Sequence, residues 1–194
     1  MVVSATSDPK FNSSLKLLGF YAETAMAAGW ILLAADPEGK VAQDDDGVFL
    51  RFALNSAALA GLSRQWPGAQ QAPLAFGGFS GGAKHSGWLA AMFTLQGRRP
   101  IGVFQAGINQ ETVAKAGQEF KALDGNYRKI PVFLLGGRQD QIAAPGEIRD
   151  VETELRRAGF KQVQLEFFDG PHAVNPAPLR RALDWFRELA GQGR

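Results

Sequence analysis

In the run Leu74-Ala75-Phe76-Gly77-Gly78-Phe79-Ser80-Gly81-Gly82-Ala83, an apolar stretch of strand length ends in a serine set among glycines. The pattern predicts a strand over 73–79, a sharp turn at Ser80 and a helix over 80–95. Ser80 has glycine two residues before it and two after. A turn that pushes a serine out of a strand-to-helix junction needs such small neighbours, because adjacent backbone passes close by. The N–H of Gly81, at the helix N-terminus, would then point at a developing oxyanion. Two other readings use the same residues. Ser80 could be a plain N-cap, or the glycines could cradle a phosphate. The second lacks a G-x-x-x-x-G-K-[ST] pattern, and Lys84 falls too near the serine.

Working outward, short apolar runs alternate with longer amphipathic ones. Strands are expected at 2–5, 30–35, 73–79, 101–104, 131–135 and 163–168. Helices are expected at 13–28, 48–66, 80–95, 109–123, 145–158 and 176–190. In the first helix Leu15, Leu18, Ala22 and Ala25 recur at helical spacing, and Gly29 is its stop. Trp30-Ile31-Leu32-Leu33-Ala34-Ala35 is almost wholly apolar, as in a parallel strand covered on both faces. Asp44-Asp45-Asp46-Gly47 reads as a solvated turn and helix start. It lacks the alternating spacing and closing Glu of a calcium loop. The alternation predicts one α/β domain over 1–194: a three-layer α/β/α sandwich around a mostly parallel sheet of about six strands.

Bulk properties narrow the function classes. The chain has 194 residues, 45% hydrophobic and 21% charged, an ordinary globular balance. Its net charge of +2 is spread thinly, with no basic cluster, so no nucleic-acid footprint is present. Arg98-Arg99, Arg156-Arg157 and Arg180-Arg181 are expected on solvated surfaces. Cysteine is absent, which excludes disulfides, thiolate metal sites and a thiol nucleophile, and leaves the compartment open. No apolar run approaches the roughly 20 residues of a membrane span. Met1 to Ala5 lacks the basic and long apolar regions of a secretory signal.

In an open parallel sheet, sites form at the carboxyl ends of strands. Asp36, Ser80, Asp140 and the pair Asp169/His172 fall there. A base for Ser80 must be a histidine, and there are two. His85 lies on the helix that Ser80 opens, well round from it and more than a turn deeper, and reads as a structural histidine. His172 follows Phe168-Asp169-Gly170-Pro171 on irregular backbone at a strand end, where a base would be presented; otherwise it is an exposed loop residue. Asp140, four residues beyond Gly136, is the preferred acid, because the order Ser, Asp, His is retained. A helix-capping role for Asp140 fits too. Asp169 is its rival, poorly placed for a side-on approach across a tight Gly-Pro loop.

The three segments 74–83, 132–140 (Val132-Phe133-Leu134-Leu135-Gly136-Gly137-Arg138-Gln139-Asp140) and 168–172 resemble the nucleophile elbow, acid loop and histidine loop of the α/β-hydrolase superfamily. Its small, cap-less carboxylesterase, dienelactone-hydrolase and polyester-depolymerase-like branch is the most similar. The resemblance implies ester hydrolysis through Ser80, Asp140 and His172, a small-molecule ester as substrate, and no metal or organic cofactor. It leaves oligomeric state open. Family members usually begin with two further edge strands, absent here. Their oxyanion loop usually carries glycine, whereas Ser4-Ala5-Thr6-Ser7-Asp8 has none, so the N–H of Thr6 or Ser7 is the expected second donor beside Gly81. Only about 25 residues lie between Gln105 and the next strand, enough for one helix and no lid domain. An open, shallow site is expected, with Phe79, Ile108, Ile142 and Val174 as candidate walls. A peptidase or thioesterase with the same three residues, and a non-catalytic binding protein of this fold, remain alternatives.

Overall fold

Strand β2 (Leu74–Phe79) lies inside the sheet between β1 (Val2–Ser4) and β3 (Pro100–Ala106), followed by β4 (Val132–Gly137) and β5 (Val163–Phe168). All four pairings are parallel, so every strand ends at the same edge of the sheet. These relations come from a computed structural model that describes residues 1–38 and 47–192. The acidic run Asp44–Asp46 lies outside the described residues.

Parallel strands need crossovers, and helices supply them. They are α1 (Ser14–Ala27), α2 (Val48–Gln65), α3 (Gly81–Leu95), α4 (Val113–Glu119), α5 (Pro145–Arg157) and α6 (Ala177–Gln192). Side chains of a strand alternate between faces, and the apolar ones here form two cores. Val2, Phe76, Val103, Val132 and Leu134 pack under α2 to α5. Val3, Ala75, Phe104, Phe133 and Leu135 pack under α1 and α6. The result is the expected three-layer α/β/α sandwich. Both faces of the sheet are covered, which is why the strands read as continuous apolar runs.

The departures from expectation have local causes. The run 30–35 is a rudimentary sixth strand. Its single bridge pairs Leu33 with Val2. Val3 N–H donates to Leu33 O at 2.8 Å, and Leu33 N–H to Met1 O at 2.9 Å. Its neighbour β1 is three residues long and offers little ladder to extend. In α1 the buried face is Leu17, Tyr21 and Ala25, while Leu15 is 59% exposed. Of the expected repeat Leu15, Leu18, Ala22 and Ala25, only Ala25 is on the buried face; its other members lie one position C-terminal to Ser14, Leu17 and Tyr21. Helix α4 starts late because the Glu111 carboxylate caps it, accepting from Ala114 N–H at 2.7 Å and Lys115 N–H at 3.0 Å. Lys121, at a φ of 54°, ends that segment. Strands β3 and β4 each run two residues further than expected toward the functional edge.

Candidate active site

Ser80 is the first residue beyond β2 and the N-cap of α3, with φ 56° and ψ −123°. A side chain rarely adopts that backbone region, at a cost of about 1–3 kcal/mol. Its N–H donates to Ala106 O at the end of β3, 2.8 Å away, which helps hold the turn. The glycines around it are required by contact. A methyl group at Gly78 would lie 2.3 Å from the Gly82 carbonyl, and one at Gly82 would lie 2.0 Å from Ser4 O. The start of α3 therefore passes directly over the ends of β1 and β2. Gly81 contributes the N–H beside Ser80, at the positive end of the helix.

His172 is reached from the end of β5. Its ring packs on Phe79, with centroids 4.6 Å apart. Gly107, at φ +60°, lies beneath both rings, and a methyl group there would sit 2.9 Å from His172 Cε1. His172 Nδ1 is 2.7 Å from Asp140 Oδ2. A carboxylate only accepts, so Nδ1 carries a proton, and in the neutral ring Nε2 is the nitrogen with the lone pair. Asp140 is held in turn: its Oδ1 accepts from Ile142 N–H and Ala143 N–H, both at 2.8 Å. Burial opposes ionisation of Asp140. The Ala143 amide, the His172 ring and the Ile142 amide outweigh it and keep the carboxyl below its ordinary value. Asp169 does not reach His172; it is exposed and pairs with Arg138 Nε at 3.2 Å.

Ser80, His172 and Thr6 line one cleft of about 590 Å³. Its walls include Phe79, Ile142 and Val174 from the expected set, together with Phe11, Leu17 and Phe20. Ile108 is not a wall; it is fully buried in the core under α3 and α4. Lys10 and Lys16 also line the cleft. Thr6 lies so close to Gly81 that a methyl group on Gly81 would be 2.3 Å from Thr6 Oγ1. The Ser7 hydroxyl instead faces His85 Nε2 at 3.4 Å.

Sequence reasoning missed a buried ionic hub beside the cleft. Arg51, fully buried on α2, donates to Asp36 Oδ1 at 2.9 Å and to Ser14 Oγ at 2.8 Å. It also donates to Asn12 O at 2.8 Å. Asp36 receives Ser14 N–H at 2.7 Å and Leu15 N–H at 3.1 Å, so it caps α1. The Asp36 carboxyl is desolvated, yet these amides and the Ser14 and Ser13 hydroxyls hold it below its ordinary value. Of the four strand-end positions, Asp36 is thus structural. The available signal was the phase of α2, whose buried face runs Arg51, Asn55, Leu59 at intervals of four.

No protein-family model matches the chain, and no curated protein does. Solved structures do. A Xanthomonas campestris α/β serine hydrolase described as lacking a lid is similar at 19% identity and a TM-score of 0.62, over 96% of this chain and 79% of that one. A monoacylglycerol lipase from Paleococcus ferrophilus is similar at 16% identity and 0.62, over 97% and 93%. Acyl-protein thioesterase 2 of Zea mays is similar at 17% identity and 0.52, over 78% and 70%. The chain has the α/β-hydrolase fold.

Proposed function

We propose that the chain is a serine hydrolase that cleaves carboxylic esters. The observation that carries this reading is the 2.7 Å contact between His172 Nδ1 and Asp140 Oδ2, made in a loop that opens on the cleft holding Ser80. In the neutral ring it favours the tautomer that leaves Nε2 able to accept a proton, which supports His172 as the base. In the proposed cycle Nε2 takes the Ser80 proton while Oγ attacks the acyl carbon. The resulting oxyanion is held by the N–H of Gly81 and of Thr6. Asp140 balances the charge on the imidazolium, which then protonates the departing alcohol. Water, deprotonated by His172, releases the acid and restores Ser80.

Fluorophosphonate labelling tests this reading. The wild-type chain is expected to be labelled on the peptide containing Ser80 and to hydrolyse p-nitrophenyl esters, and Ser80→Ala to do neither. A wild-type chain that resists the probe, or a Ser80→Ala variant with undiminished hydrolysis, sinks it. Thioester and peptide substrates assayed in parallel assign the acyl-transfer class.

A further inference from the structure

His85 is the second of the two histidines, and the proposed cycle does not use it. It projects from the second turn of α3 toward the stretch that follows β1. Its Nδ1 is 2.9 Å from Ala5 O. The carbonyl only accepts, so Nδ1 carries the proton, and in the neutral ring Nε2 accepts from the Ser7 hydroxyl at 3.4 Å. One imidazole thus spans Ala5-Thr6-Ser7 from end to end. Ala5 is also held from the other side, its N–H donating to Ser14 Oγ at 3.1 Å. Thr6, in the middle, is the member of the stretch that lines the cleft with Ser80 and touches Gly81. The stretch lies beyond the last ladder pair of β1, Ser4 with Gly78, and contains no glycine. Its shape is therefore set by cross-links.

We infer that His85 is a positioning residue: it clamps the Ala5–Ser7 backbone against α3 so that the Thr6 N–H faces the oxyanion forming at Ser80. The inference rests on the reading of Ser80 as nucleophile. It predicts an effect confined to the transition state, since the charge that Thr6 would meet does not exist in the bound ester. Removal of one oxyanion donor costs about 10²–10³ in rate, and misplacement of one costs less.

The test compares kcat and KM on one p-nitrophenyl ester for wild type, His85→Leu, His85→Ala, His85→Asn and Ser80→Ala, with rates taken per folded protein from thermal melts. His85→Leu and His85→Ala are expected to lower kcat about 10- to 100-fold and to move KM less than about threefold. His85→Asn, whose amide can donate to Ala5 O, is expected to recover most of kcat. Wild-type kcat in His85→Leu beside a dead Ser80→Ala overturns the inference and leaves the nucleophile standing. Equal losses in the Leu and Asn variants, or a change in KM alone, overturn it as well. Failure of both Leu and Ala variants to fold also overturns it, because the ring would then be holding the fold itself. A Ser80→Ala variant as active as wild type removes the nucleophile and this inference together.

Discussion

Ser80 occupies backbone that a glycine adopts freely and a serine does not. Ser80→Gly should therefore raise stability by about 1 kcal/mol, or roughly 2–4 °C in Tm for a chain of this size, while abolishing the proposed ester hydrolysis. An unchanged or lower Tm in a thermal melt would show that the turn stores no strain. At this scale much was legible. Ser80, Asp140 and His172 each follow an apolar run, and parallel strands bring the ends of such runs to one edge. The preference for Asp140 over Asp169 beside His172 followed from loop geometry and chain order; the pairing of Asp169 with Arg138 did not. The task of His85 was not legible. Its partners, Ala5 and Ser7, lie 80 and 78 residues away, and nothing in helical spacing points to them.

Helix α1 gives Lys16, Leu17 and Phe20 to the cleft wall, and its first turn is fixed by Asp36, with the Arg51 guanidinium of α2 behind it. Asp36→Asn removes the charge from one partner of a fully buried guanidinium, and a thermal melt should show a loss of about 1.5–3 kcal/mol. The acid limb should change too. A carboxyl held below its ordinary value in the fold contributes stability that is present above about pH 4 and is lost as pH falls through the lower folded value. Urea denaturation should show wild type losing stability below pH 4 more steeply than Asp36→Asn. Parallel curves would mean that Asp36 is not a source of the acid dependence. The existence of α1 was legible from apolar residues recurring at helical spacing and from its Gly29 stop. Its inward face was not, because apolar residues lie on several sides and Leu15 and Leu17 compete for the core. The Arg51 hub was hidden for a similar reason: arginine on a helix is usually a solvated residue, and only tertiary packing turns this one inward.

Across the whole molecule, protection should follow the sheet from its centre outward. Amides of β3 and β4, bonded on both sides, should exchange by global unfolding. Those of Ile31, Leu32, Ala34 and Ala35, beside the lone bridge at Leu33, should exchange orders of magnitude faster. Equal protection, read by mass spectrometry, would mean that run 30–35 is a full strand. Layer order and strand direction were legible because both faces of the sheet are buried. The extent of the edge was not, since an apolar run cannot state how long its neighbour is. The cleft has a further consequence for redesign. Most of its wall is one continuous length of chain, from Ala5 to Phe20, whereas Ser80, Asp140 and His172 stand on three other segments. A single cassette exchange can thus recast the surface that a substrate would meet and leave Ser80, Asp140 and His172 in place. The graft must keep Thr6 and the moorings of the stretch: the Ala5 carbonyl and Ser7 hydroxyl for His85, and the Asn12 carbonyl and Ser14 hydroxyl for Arg51.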